Sequence, residues 1–328
     1  MFEMIQSFPA QLEEAIQIAT QARINQHSHP IQKIFISGMG GSGIGGEFVA
    51  SFIRSKCKVP VLGGKSYNAP GWIDMYTLVI ISSYSGNTEE TISCFQQLKN
   101  SGAKIVCISS GGEIIKLAKE LNLDFIQLPS NWSSPRACLG YSLVSQLSVI
   151  HALNLIDALF KNDLQEIINR LKSETSEIIE KAKQLATVLQ SKMIVIYTTD
   201  RIEPVAVRFR QQINENSKML CWHHVIPEMN HNELVGWRWK QDALAVLFLR
   251  NADDHPRNEA RIELTKEIVS HYTPAVIELY SKGNSIIERS IYLVHLLDYV
   301  SVFLADYNKI DSTEVRVIDF LKTELSKI

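Results

Sequence analysis

Lys33-Ile34-Phe35-Ile36-Ser37-Gly38-Met39-Gly40-Gly41-Ser42-Gly43-Ile44-Gly45-Gly46 is the stretch on which the reading of this chain turns. A short strand-forming run ends there in a loop of glycines around one hydroxyl. About forty positions later the pattern recurs: Leu78-Val79-Ile80-Ile81 runs into Ser82-Ser83-Tyr84-Ser85-Gly86-Asn87-Thr88-Glu89-Glu90-Thr91. Glycines let the backbone approach a ligand closely, and N–H groups and hydroxyls at a helix start favour an anion. Two such loops at strand ends predict a phosphate held by many neutral donors, with little fixed positive charge.

Gly38, Gly40 and Gly43 also satisfy the dinucleotide fingerprint G-x-G-x-x-G. That fingerprint wants an acidic residue about 20 positions on, at the end of the next strand, to hold a ribose hydroxyl. The next strand, Val59-Pro60-Val61-Leu62, ends in Gly63-Gly64-Lys65, which argues against a nicotinamide cofactor. A Walker-type phosphate loop fails as well, because no Gly-Lys-Ser/Thr closes the loop.

The 328 residues are 45% hydrophobic and 21% charged with a formal net charge of −2, an ordinary globular composition whose length suggests about two domains. Such a balance argues against a large nucleic-acid footprint, which needs a basic patch. Five scattered cysteines, Cys57, Cys94, Cys107, Cys138 and Cys221, lack metal-ligand spacing and read as buried thiols. No apolar run is long enough to span a bilayer, and Met1-Phe2-Glu3-Met4 lacks the basic region of a signal peptide, so a cytoplasmic protein is expected.

Along the chain, residues 1–30 read as helix, and strand-like runs at 33–37, 59–62, 77–82, 104–108 and 124–128 alternate with helical stretches. Continuous apolar runs such as Ile105-Val106-Cys107-Ile108 fit strands buried on both faces of a parallel sheet. The alternation implies βαβ units with right-handed crossovers. Residues 136–190 show helical signals only, and 156–190 read as a bridge between domains 1–155 and 191–328. A second alternating block starts at Met193-Ile194-Val195-Ile196-Tyr197 and continues at 220–222, 243–248 and 275–279. This order suggests an internal duplication. Its first strand ends in Thr198-Thr199-Asp200-Arg201 rather than glycines, so the second half kept the fold and lost the phosphate cradle. The fold expected is α/β, with two tandem, mainly parallel sheets flanked by helices.

Four further places carry candidate chemistry. Glu215 falls near the end of a helix beginning at Pro204, with Val205, Phe209 and Ile213 on its buried face. A helix C-terminus opposes ionisation of a carboxylate, which suits a general base; a surface glutamate paired with Lys218 is the alternative. The segment His223-His224-Val225-Ile226-Pro227-Glu228-Met229-Asn230-His231-Asn232-Glu233 reads as a loop. Its histidines lack the His-x-x-x-His helical spacing and Pro227 interrupts any helix, so metal binding is not expected. His231, between two asparagines, reads as either an acid/base histidine or a core residue. Arg136, after Ser133-Ser134-Pro135, reads as an anion stabiliser at the ligand end of the first sheet or as a surface residue. Lys322 lies on a final helix spanning 315–325.

Gly40-Gly41-Ser42-Gly43, Ser83-Tyr84-Ser85-Gly86-Asn87-Thr88, Pro135-Arg136, Asn214-Glu215-Asn216 and Asn230-His231-Asn232, in this order, resemble the sugar isomerase (SIS) superfamily. Within it the chain is most similar to the bifunctional phosphoglucose/phosphomannose isomerases, over nearly its whole length. The resemblance implies two SIS domains and an aldose–ketose isomerase of carbohydrate metabolism that needs no cofactor or metal. It implies that Gly41, Ser42, Ser83, Ser85 and Thr88 hold the phosphate of a sugar-phosphate substrate. It further implies that Arg136 stabilises an enediolate, Glu215 moves a proton between C1 and C2, and His231 opens the ring. A homodimer with shared sites follows from the same resemblance. Lys322 aligns with a C-terminal active-site lysine only approximately, and Ser312 and Thr313 depart from the family's Thr-Pro pattern. A sugar-phosphate sensor and a glucosamine-phosphate enzyme are the competing readings. The first would not need Glu215, His231 and Arg136 together, and the second carries an amidotransferase domain that this sequence does not show.

Overall fold

The run Leu78-Val79-Ile80-Ile81 is wholly buried, as a central strand of a parallel sheet covered on both faces must be. It lies in a computed structural model that describes residues 1–328 and divides into two compact units. In chain order the elements begin α1 (Phe2–Gln6), α2 (Phe8–Gln21), β1 (Lys33–Ser37), α3 (Gly40–Ile53), β2 (Val61–Gly64) and β3 (Thr77–Ser82). There follow α4 (Glu89–Leu98), β4 (Lys104–Ser109), α5 (Gly112–Glu120), β5 (Asp124–Gln127), α6 (Leu139–Ala152) and α7 (Leu159–Ser173). The remainder is α8 (Thr175–Leu189), β6 (Met193–Thr199), α9 (Glu203–Glu215), β7 (Cys221–Ile226), β8 (Leu244–Arg250), α10 (Pro256–Ser270), β9 (Val276–Tyr280), α11 (Ile286–Tyr307) and α12 (Arg316–Leu325).

The first unit comprises Gln6–Lys172 with Ser285–Glu288. Its five strands pair in parallel in the order β2-β1-β3-β4-β5, with Ser37 opposite Gly64 and Ile36 opposite Ile80. Phe35, Val79, Ile81 and Cys107 from the strands pack with Cys94, Phe95 and Leu98 of α4 and Ile114 of α5. On α3, Gly45 and Gly46 allow close packing: a Cβ at Gly45 would lie 2.5 Å from Ser142 Oγ of α6, and one at Gly46 would lie 2.9 Å from the Ile36 side chain. Helix α2 rests on α6, where the buried Gln11 donates to Ala137 O at 2.9 Å and accepts from Gly140 N at 2.8 Å. Cys94, Cys107 and Cys138 are buried, and burial pushes the Cys107 thiol up to about 12.

The second unit comprises Met1–Ile5, Ser173–Asn284 and Arg289–Ile328. Its four strands are again parallel, in the order β7-β6-β8-β9. β6, flanked by β7 and β8, occupies the place that β1 holds between β2 and β3, so the duplicated element order is present with one strand fewer. Val195, Tyr197, Val246 and Phe248 form its core with Ile226, Met229 and Trp237.

Some particulars differ from the sequence reading. The helix expected over 1–30 is α1 and α2 only, and residues 22–30 form no helix. The stretch 156–190 holds two separate helices, α7 counted with the first unit and α8 with the second. β7 extends to Ile226, so His223 and His224 belong to a half-buried edge strand rather than a loop. No helix is long and apolar enough to cross a membrane.

Candidate active site

The two loops that opened the sequence reading meet at the C-terminal ends of β1 and β3. A Cβ on Gly38 would sit 2.7 Å from Ser82 O, so only glycine admits this approach of the strand ends. Ser42, at the start of α3, receives the Tyr84 backbone N–H on its Oγ at 3.2 Å, joining the first loop to the second. Ser83 Oγ shares a 2.8 Å hydrogen bond with Thr88 Oγ1 and accepts from Gly86 N at 3.2 Å. Ser85 Oγ accepts from Asn87 N at 3.3 Å. Thr88 is the N-cap of α4, yet its hydroxyl does not cap that helix. Ser42 thus lies in the first turn of α3, and Ser83, Ser85 and Thr88 lie in the adjoining loop that leads into α4, a setting suited to an anion.

The second loop is braced from behind. Gly86 adopts φ +72°, and a Cβ there would lie 1.8 Å from Gly111 O. Ser110 Oγ donates to Tyr84 O at 2.6 Å, and Ser109 Oγ donates to Gly111 O at 2.9 Å. The Tyr84 hydroxyl donates to Pro129 O at 2.8 Å, and burial raises its pKa, keeping it a neutral donor. Beneath the first loop, Gln146 Nε2 donates to Ser142 Oγ at 2.8 Å, Ser82 Oγ at 3.3 Å and Ser42 O at 3.4 Å.

Arg136 lies in a single 3-10 turn (Pro135–Ala137) and is only 8% exposed, so it is no ordinary surface arginine. Its backbone approaches the first loop: a Cβ on Gly41 would meet Pro135 O at 3.2 Å and Arg136 Cα at 3.5 Å. A second cation, which the sequence reading did not consider, lies beside the same loop. Lys65 follows Gly64 at the end of β2, its Cε would be 3.3 Å from a Cβ on Gly43, and its ammonium is ion-paired with Glu47 of α3. The signal for it was the pairing of β2 with β1, which sets Lys65 next to the glycine loop.

In the second unit, Glu215 is the last residue of α9 and is half-buried. It lines a cavity of about 340 Å³ with Lys218, Met219 and Leu220 on one side and Glu314–Ile318 on the other. Lys218, in a left-handed conformation (φ +54°), donates to Glu215 O at 2.6 Å, Glu314 O at 2.8 Å and Asp311 O at 3.0 Å. One ammonium therefore caps the α9 C-terminus and ties it to the segment entering α12. The neighbouring Asn216 and Ser217 are buried and bonded to Ser301, which fixes the end of the helix. Thr313 closes a turn on Asp311 through its hydroxyl, at 2.6 Å. Lys322 is exposed on α12, one turn beyond the cavity-lining Ile318, and is not among the cavity residues.

His231 ends a 3-10 turn (Glu228–His231) and is exposed, which answers the alternative of a core histidine. Its segment is anchored on both sides: Asn230 Nδ2 donates to Thr265 Oγ1 at 2.9 Å, and Glu233 Oε1 accepts from the Tyr197 hydroxyl at 2.5 Å and from Trp222 Nε1 at 3.2 Å. His224 Nδ1 lies 3.0 Å from Glu233 Oε2. Glu233, read in the sequence only as part of a possible ligand cluster, is the hub that holds this segment to the sheet. No group of three or more His, Cys, Asp and Glu side chains is arranged to hold a metal ion.

Comparisons with known proteins agree with this architecture. Residues 29–156 match the family model for the SIS domain, and residues 178–325 match that of the bacterial phospho-glucose isomerase C-terminal SIS domain. A bifunctional phosphoglucose/phosphomannose isomerase of Caldicellulosiruptor bescii is 38% identical, covering 100% of this chain and 99% of that protein. A protein of the same name from Aquifex aeolicus is 35% identical over 91% of this chain and 92% of its own length. Among solved structures, the C-terminal domain of glucosamine-fructose-6-phosphate aminotransferase from Francisella tularensis superposes with a TM-score of 0.76 at 15% identity. It covers 96% of this chain and 98% of that one, a likeness of fold.

Proposed function

Because the chain belongs to the bifunctional phosphoglucose/phosphomannose isomerase family, we propose that it interconverts glucose 6-phosphate and mannose 6-phosphate with fructose 6-phosphate. The reaction runs through a cis-enediolate. The substrate phosphate is held by Ser42, Ser83, Ser85 and Thr88, with the Gly41 backbone beside them. His231 assists ring opening, which exposes the carbonyl. Glu215 takes the proton from the carbon next to that carbonyl and returns it to the other one. Arg136 stabilises the negative oxygen of the intermediate. One carboxylate acting twice serves both directions, and the two aldoses share one enediolate because they differ only at C2. Lys322 is assigned to the same chemistry on the resemblance alone.

The observation that carries this reading is identity of 38% along the full length to a relative of that name. It is supported by the hydroxyl-lined cradle and by Glu215 at a helix end on a cavity large enough for a small ligand. The active form is proposed to be a homodimer in which His231 serves the neighbouring copy. The deciding experiment supplies the purified protein with fructose 6-phosphate and follows both aldose phosphates by coupled assays. Formation of both is expected. Formation of neither overturns the function, and formation of glucose 6-phosphate alone overturns the dual specificity.

A further inference from the structure

Phosphate recognition by neutral donors leaves open which cation balances a ligand carrying nearly two negative charges. Helix α3 begins with the glycine loop and contains a single charged side chain, Glu47. Glu47 is four residues beyond Gly43, hence on the same face of the helix one turn further from its start. Gly38 donates its N–H to Gly64 O at 3.1 Å, which fixes the end of β2 beside the loop and aims the following residue, Lys65, along α3. The Lys65 stem crosses Gly43, where any side chain would collide with Gly38 O at 2.5 Å and crowd Lys65 Cε at 3.3 Å. Its ammonium then reaches Glu47. Both partners are about one-third exposed (36% and 32%), so the pair can exchange against solvent or ligand.

We propose that Lys65 is a ligand of the substrate phosphate and exchanges between it and Glu47. A lysine is a compact point charge on a flexible stem, and a turn of that stem towards the helix start carries the ammonium from Glu47 to the side of the glycine loop. A phosphate dianion is the stronger partner, because it carries nearly twice the charge of the Glu47 carboxylate. The glycine at position 43 keeps the track of the lysine stem clear. The proposal rests on the reading of the two loops as the phosphate site.

Titration of the whole protein with inorganic phosphate by calorimetry, at two ionic strengths, tests it. K65M should weaken phosphate at least about tenfold, the scale of a lost charge-assisted hydrogen bond, and flatten the salt dependence. E47Q should act in the opposite sense, tightening phosphate at least about threefold by releasing the lysine, with E47A as a second variant; K65R should bind within about threefold of wild type. Melting temperatures would show that each variant is folded. Wild-type phosphate affinity in K65M, or equal weakening in K65M and E47Q as for a merely structural ion pair, overturns the role of Lys65. Phosphate binding that survives S85A/T88A overturns the loop reading and this proposal with it; loss there alongside an unaffected K65M overturns the lysine alone.

Discussion

Gly86→Ala should disable the proposed phosphate cradle while leaving the fold standing. At φ +72° an alanine bears a left-handed backbone cost of about 1–2 kcal/mol. Its Cβ would also lie 1.8 Å from Gly111 O, where real contacts essentially never fall below 3.0 Å, so the two loops must part by at least 1.2 Å. The Gly111 carbonyl accepts from Ser109 Oγ at 2.9 Å, and loss of that bond adds about 1 kcal/mol. The total of about 2–3 kcal/mol corresponds to a melting temperature lower by roughly 5–10 °C for a unit of this size. Functionally the shift matters more, since misplacing a binding group by about 1 Å costs about 10²-fold in kcat/KM. Gly63→Ala on β2 is the control: its Cβ meets nothing within 4 Å, so stability should hold within about 0.5 kcal/mol and kinetics should be unchanged. Thermal unfolding with steady-state kinetics on fructose 6-phosphate reads both effects. A Gly86→Ala protein with wild-type KM and kcat would refute the reasoning that this loop geometry holds the substrate.

Two other outcomes follow from the same structure. Mixing inactive Glu215→Gln with inactive His231→Ala protein should restore part of the activity through hybrid dimers; no recovery after demonstrated subunit exchange would count against a shared site. His295 is buried in the second unit beside Tyr299 and burial lowers its pKa to about 3, so it is neutral when folded and takes a proton only on unfolding below its ordinary value near 6.5. Its contribution is therefore complete above pH 6.5 and lost progressively as pH falls towards 3. Denaturant unfolding between pH 7.5 and 4.5 should show a slope smaller by about one proton in His295→Gln, and an unchanged slope would contradict the assignment.

How much of this was legible in the sequence depends on what each element is buried against. β3 and β4 are covered on both faces, so their residues form continuous apolar runs that announce a parallel sheet. That the two glycine- and hydroxyl-rich segments follow neighbouring strands was legible because each comes straight after a continuous apolar run. β7 was less so: it is a half-buried edge strand, and His223 and His224 carry none of the apolar signal that marked the others. The unit boundaries were hidden because Met1–Ile5 joins the unit formed by the end of the chain, while Ser285–Glu288 joins the one formed by its beginning, and such returns leave no mark in local composition. Lys65 escaped notice because its place is set by the register of β2 on β1, a pairing between segments far apart in the chain. The tie from Lys218 to Asp311 and Glu314 is equally non-local.

The central claim is that Glu215 carries the proton between C1 and C2. It is tested most directly by incubating fructose 6-phosphate in heavy water with the wild-type and Glu215→Gln proteins and measuring deuterium at C2 of the aldose phosphates. The wild-type protein should place deuterium at C2 of both glucose 6-phosphate and mannose 6-phosphate in those turnovers in which the proton on Glu215 exchanges with solvent before it is returned. The variant should still bind substrate but form these products at least about 10²-fold more slowly, the low end of a general base's contribution. A Glu215→Gln protein that forms labelled products at near the wild-type rate would contradict the account.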